Sequence, residues 1–152
     1  MKLSTKGRYA LVALVDIAFH QDAGLVTMND LSKRQDISMP YIEQLFAKLR
    51  RRGLVVSVRG PAGGYKLAKS PSKIRIYEVL SAVDESVDAL STGAGAKGGA
   101  SGTQAQSLSN KLWEGLSAHV YVFLHHTTLA DVIRNELIPC PAIPAFFEVE
   151  DA

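Results

Sequence analysis

The sequence predicts a mainly α-helical fold with one small β-hairpin, on three observations. Two short helical patterns meet at a tight turn near Ser38, a glycine-rich hairpin follows directly, and a long amphipathic pattern fills residues 108–124. Two helices joined by a short turn and followed by a hairpin are the parts of a winged helix-turn-helix.

The first element is an apolar run, Tyr9–Phe19, that reads as a largely buried helix with Ser4 or Thr5 as its cap. Gln21–Gly24 is a turn. Thr27 and Asp30 have capping-box spacing and open a helix to about Gln35, with Leu31 inward. Ser38 is the expected N-cap of the next helix, and Pro40 is tolerated in a first turn whose N–H groups lack partners anyway. Ile42, Leu45, Phe46 and Leu49 then recur at helical spacing, and Gly53 ends the helix.

Leu54–Val58 reads as a strand and Tyr65–Ala68 as its partner, with the turn Arg59-Gly60-Pro61-Ala62-Gly63-Gly64 between them. Ile76–Val83 is a short helix. Residues 91–107 are mostly Gly, Ala, Ser, Thr and Gln, a loop composition. Leu112, Trp113, Leu116, Val120, Phe123 and Leu124 share one broad face of a helix over Leu108–Leu124. Thr128 and Asp131 start a last helix to about Leu137, and Pro139, Pro141 and Pro144 keep the tail out of regular helix. The expected division is residues 1–84 as the winged-helix domain, 85–107 as a loop, 108–137 as the long and final helices, and 138–152 as a tail.

Charge is distributed unevenly. Residues 1–70 carry 12 Lys/Arg against 5 Asp/Glu, and residues 71–152 carry 5 against 10. A basic first half joined to an acidic second half points to an anionic partner for the first half. The start of the chain lacks a signal-peptide pattern, and no apolar run approaches the roughly 20 residues that span a bilayer, so a cytoplasmic location without membrane contact is expected. Cys140 is the only cysteine, which rules out an intrachain disulfide. No Ser/His/Asp spacing, HExxH or paired carboxylates in a glycine-rich pocket are present, and Asp84-Glu85 reads as a helix end, so an enzyme is not expected. The glycine-rich turn lacks the Lys-Ser/Thr of a P-loop and opens no helix.

A helix fits the major groove of B-DNA, and its first turns must offer side chains to base edges. Ser38, Tyr41, Glu43 and Gln44 occupy those positions. Gln pairs with adenine, Glu accepts from the cytosine amino group, and Ser serves either role weakly. Lys48, Arg50, Arg51 and Arg52 follow as phosphate contacts. Arg59, beside Gly60 at the base of the hairpin turn, suits a narrow, electronegative minor groove. Lys6 and Arg8 at the basic start of the chain complete the candidate set. A protein-interaction module is the alternative from another class; it predicts weak, salt-insensitive DNA affinity.

Four stretches carry a family resemblance: Ser4–Ala10, Tyr41–Phe46, Val58–Pro61 with Gly63-Gly64-Tyr65, and Ala82–Asp88. They are similar to the IscR family of iron–sulfur cluster regulators, part of a wider Rrf-type group of winged-helix regulators that sense iron–sulfur status, nitric oxide or cysteine. The resemblance covers roughly residues 1–137. It implies a transcription regulator of iron–sulfur or iron-homeostasis genes, a homodimer built mainly by the long helix, and double-stranded DNA and RNA polymerase as partners. It also implies base contacts by Ser38, Tyr41, Glu43 and Gln44 and a wing contact by Arg59. A sensor of nitric oxide or of a thiol metabolite is the second reading within the group. Pro40 stands where the family often has Ser.

The resemblance further implies a 2Fe–2S cluster held by three cysteines and a histidine, because such clusters require soft thiolate ligands. The corresponding positions here are Ala94, Ala100, Ser107 and Asn110. Three origins fit this departure: ligands removed by engineering, a natural branch without the cysteines such as some alphaproteobacterial relatives, or a likeness confined to DNA binding. Cys140 is the remaining thiol for a rearranged metal site, with His119, His125 and His126 nearest in sequence. A small buried apolar role for Cys140, and helix-dipole roles for His125 and His126, are the competing readings.

Overall fold

A computed structural model describes residues 4–85 and 103–137. Six helices and one hairpin follow in order: α1 Thr5–His20, α2 Met28–Gln35, α3 Met39–Arg51, β1 Val55–Val58, β2 Gly64–Leu67, α4 Ile76–Ala82, α5 Gln104–His126 and α6 Leu129–Arg134. The expected class is what forms, mainly helix with a two-stranded antiparallel hairpin.

α1 runs through the centre of the core. Ala10, Ala13, Leu14 and Ile17 recur on one helical face and are all buried. Ser4 takes the N-cap position, but its hydroxyl makes no capping bond. It hydrogen-bonds instead to the carboxylate of Glu85, which also accepts from the Ser4 backbone N–H at 3.1 Å. A carboxylate 81 residues away in sequence thus sits at the positive end of α1, whose own first turn holds no acid.

Local capping fixes the later helix starts. Thr27 accepts from the Asp30 N–H at 3.1 Å, and Asp30 accepts from the Thr27 N–H at 3.3 Å, the expected capping box of α2. The same reciprocal pair opens α6 at Thr128 and Asp131. A third, unforeseen box at Thr103 and Gln106 starts α5 at Gln104, four residues before the expected Leu108. Ser107 and Asn110 therefore lie inside α5 rather than in or beside a loop. α6 stops at Arg134, short of Leu137, because Asn135 turns left-handed at φ 55°.

The hairpin pairs Val55 with Leu67 and Val58 with Gly64, leaving residues 59–63 as the turn. Gly60 has φ 120°, open to glycine and strained for other residues. A Cβ at Gly63 would run into the Val58 carbonyl oxygen. Val26 and Tyr65 exchange two backbone bonds of 3.0 and 2.7 Å, a single bridge that ties the α1–α2 connection to β2.

α6 returns to this same core. Leu129 is fully buried in the cluster that holds Leu14, Leu49 and Val79. The Leu129 N–H donates to the Ile74 carbonyl at 2.8 Å, and the Ile76 N–H to the Thr127 carbonyl at 3.0 Å. α5 contributes no buried residue; Leu108, Leu112, Trp113, Leu116 and Phe123 are exposed along it. The expected loop through residue 102 and the expected tail from residue 138 lie outside the described residues.

Candidate nucleic-acid interface

α3 is held by the face that the spacing predicts. Ile42, Leu45, Phe46 and Leu49 are buried, and the Phe46 ring meets Tyr65 edge-on with centroids 4.7 Å apart. The opposite face is thereby presented to solvent. Glu43, Gln44, Arg50 and Arg51 are exposed there, and Arg52 follows at the C-cap. The α2–α3 turn is fixed by Asp36, left-handed at φ 53°, and by the Ser32 hydroxyl donating to the Ile37 carbonyl at 2.6 Å. Ser38 occupies the N-cap of α3 as expected. Its side chain makes no capping bond, and the residue is exposed at the helix start.

Two expected contacts sit differently. Tyr41 is not an outward residue: its ring packs on the core, edge-on to Tyr9 at 5.6 Å, and its hydroxyl is buried with no hydrogen-bond partner among the described residues. Tyr41 thereby joins α3 to α1 through its ring. Lys48 is half-buried, and its Nζ donates to Asp84 Oδ2 at 2.6 Å. That lysine reaches a phosphate only by releasing a carboxylate.

The remaining candidate cations lie on α1 and the hairpin turn. Arg59 and Gly60 are exposed at the hairpin turn, Arg8 is exposed on α1, and Lys6 is half-buried. The hydrogen bond and charge of Lys48 hold the Asp84 carboxyl below its ordinary range, with Lys6 and Arg52 adding to the effect. Burial pushes Glu85 upward, but its bonds to Ser4, the charge of Lys6 and the Gly7 N–H outweigh it and hold that carboxyl low as well. Both acids are therefore ionised beside the candidate interface at neutral pH. The sequence shows them as a helix end. Their partners, Lys48 and Ser4, lie 36 and 81 positions away, and no local pattern signals such pairs.

A second cluster, also invisible in the sequence, joins α4 to α5. Tyr77 stacks on His125 at 4.4 Å, Tyr121 contacts both rings, and the His125 Nε2 is buried with no hydrogen-bond partner among the described residues. Arg75 adds a bond from its guanidinium to the His125 carbonyl at 2.5 Å.

The residues at the usual cluster positions do not fit a cluster. Ala94 and Ala100 have no ligating atom and lie outside the described residues. Ser107 is exposed and Asn110 half-buried on α5, and neither offers the thiolate or imidazole that iron–sulfur chemistry needs. Among the described residues no group of three or more His, Cys, Asp or Glu could hold a metal ion. Cys140 lies outside the described residues. No helix among the described residues is long and apolar enough to cross a membrane.

The chain matches the family model Rrf2, described as an iron-dependent transcriptional regulator, over residues 3–135. It is 66% identical over 153 aligned positions to the HTH-type transcriptional regulator IscR of Cereibacter sphaeroides, covering 99% of both chains. Against the Escherichia coli protein of that name it is 49% identical over 136 positions, 90% of this chain and 82% of the relative. Among solved structures, IscR of T. potens aligns with a TM-score of 0.70 at 34% identity, covering 90% of this chain and 88% of that one. CymR of B. subtilis, titled the global cysteine regulator, aligns at 0.71 and 29% identity, covering 89% and 98%.

Proposed function

As a member of the Rrf2 family of transcriptional regulators, and so not an enzyme, this chain, we propose, binds palindromic double-stranded DNA as a homodimer and controls genes of iron–sulfur cluster assembly or iron homeostasis. One observation carries the reading. The solvent face of α3 offers Ser38, Glu43 and Gln44 at its start and in its second turn, and Arg50 and Arg51 at its end, with Arg59 exposed on the adjoining hairpin. Groups able to read base edges lead, and phosphate-binding cations follow, as a helix entering the major groove requires. RNA polymerase is the further partner this role implies.

The dimer rests on α5. None of its 23 residues is fully buried within the chain, and Leu108, Leu112 and Trp113 are 59%, 63% and 41% exposed. A continuous apolar stripe of this length is stable in water when a second copy covers it. Two-fold pairing would present two reading helices to two half-sites.

No step is derived through a cluster at the usual positions. The natural absence of the family's cysteines from this chain's branch, and a rearranged site using Cys140 as the single soft ligand, belong to the proposal. Anaerobic purification with an absorbance spectrum and iron and sulfide assays, on wild type and Cys140→Ala, decides them. Cluster bands lost with the thiol support the rearranged site, and iron-free protein in both cases removes it. The DNA-binding reading is tested by anisotropy titration of a duplex carrying an IscR-type operator against a scrambled duplex, in rising salt. Preference for the operator, with affinity falling steeply as salt rises, is expected. Equal, salt-insensitive binding would leave a protein-interaction module, the competing reading.

A further inference from the structure

Two adjacent carboxylates follow α4, and each grips a different element of the candidate interface. Glu85 holds Ser4 at the head of α1. Asp84 takes a left-handed backbone, φ 58°, and accepts from Lys48 on α3 at 2.6 Å. The second pair lies at the surface, with side chains 36% and 66% exposed. A pair so exposed contributes little to folding. Its position, at the basic end of the helix read above as the DNA-contacting one, gives it another consequence.

We propose that Asp84 is a specificity-determining residue, which occupies Lys48 as a DNA phosphate would and so suppresses sequence-independent DNA binding. The proposal rests on the reading of α3 as the groove-entering helix. An ammonium group donates equally well to a carboxylate or to a phosphate oxygen. A free lysine that meets a phosphate displaces a condensed counterion, and that release drives non-specific affinity. Lys48 instead exchanges one anion for another, so its share of the release is cancelled. Ser38, Glu43 and Gln44 at the other end of α3 are untouched by this exchange. The penalty therefore falls on phosphate contacts common to every sequence, and base-edge contacts count for more of the total.

The full-length protein is titrated by anisotropy against a mixed-sequence duplex and an IscR-type operator duplex, across about 50 to 200 mM salt. Wild type, Asp84→Asn, Lys48→Gln and the double variant are compared. Asp84→Asn is expected to tighten mixed-sequence binding about three- to fivefold per protomer at low salt. Its salt slope should steepen by about one per protomer. Operator affinity should rise less, so selectivity falls. Lys48→Gln alone should leave the wild-type slope unchanged, and the effect of Asp84→Asn should vanish in the Lys48→Gln background. An unchanged slope and affinity in Asp84→Asn overturns the proposal. So does a slope that drops by about one per protomer in Lys48→Gln, or an Asp84→Asn effect that persists without Lys48. Binding of neither duplex by wild type overturns the reading of α3 itself, and the proposal with it; operator-selective wild-type binding with an inert Asp84→Asn overturns the proposal alone.

Discussion

Arg34 grips Asp16 with both sides of its guanidinium: Nε donates to Oδ2 at 3.0 Å and Nη2 to Oδ1 at 2.6 Å. Asp16 is the buried charged residue of the described core, 3% exposed in the middle of apolar α1. Gln35 adds a third donor at 2.7 Å, and the His20 ring lies 3.5 Å from the carboxylate. The cluster ties α1 to the end of α2, and α2 in turn leads into the tight turn before α3. A polar lock thus holds the end of α2, from which the turn to α3 departs.

Removal of one partner leaves a buried carboxylate uncompensated, which is costlier than loss of the pair as a whole. Arg34→Ala is expected to lower unfolding free energy by about 3 kcal/mol. The double variant Asp16→Leu/Arg34→Leu should recover much of that loss. Urea melts of the two proteins provide the comparison, and equal destabilisation by both would contradict the account.

Acid should weaken the same lock. Burial pushes the Asp16 carboxyl upward, but the bonds from Arg34 and Gln35 and the charges of Arg34 and His20 outweigh it, so its folded value lies below the ordinary 3.8. The unfolded chain then binds the proton more readily than the folded one. The stability this contributes is fully present above the ordinary value and is lost as pH falls through the folded one. Melting temperature should therefore fall as pH drops through and below about 4, and the Asp16→Asn protein should show a shallower decline over that window. Parallel curves would assign acid sensitivity to other carboxylates.

At the hairpin turn, Arg59 has no hydrogen-bond or ion-pair partner among the described residues. Truncation therefore costs nothing in folding. Arg59→Ala should weaken operator binding by about 1–3 kcal/mol with an unchanged melt. Glu43→Ala should broaden the set of bound sequences more than it changes the best affinity, because an acid at a base edge also acts by rejection. Selection from a random-duplex pool reads this directly, and identical enriched sequences would remove Glu43 from base reading.

The proposed dimer face on α5 is separable from folding for the same reason. Leu112 and Leu116 are exposed in the single chain, so Leu112→Asp with Leu116→Asp should leave the secondary structure intact. Sedimentation should show a monomer, and operator affinity should drop roughly a hundredfold or more as bivalent engagement is lost. A dimer that survives both charges would place the interface elsewhere.

Much of this fold is legible in local patterns. The Thr27–Asp30 and Thr128–Asp131 boxes, the buried face of α3 and the glycine turn all follow from residues within a few positions of one another. α5 starts four residues before the apolar pattern because Thr103 and Gln106 cap it from within a stretch whose Gly, Ala and Ser content masks the capping signal. The candidate interface was legible only as an outward face. The burial of Tyr41 against Tyr9 and the capture of Lys48 by Asp84 depend on partners 32 and 36 positions away, supplied by tertiary packing. Likewise, no pattern in α6 reveals that Leu129 completes the core around α1.

That return has a mechanical consequence. The bonds between Ile74 and Leu129 and between Ile76 and Thr127 anchor one end of α5 to the body that carries α3. Its 23 residues form an arm about 35 Å long, held at that anchor. A rotation of about 10° there swings the far tip by about 6 Å. If two such arms pair as proposed, their crossing angle would fix the distance between the two α3 helices, and half-sites one helical turn apart, about 34 Å, would tolerate little error in that distance. Operator spacing would then be an angular property, set at a seam remote from the bases.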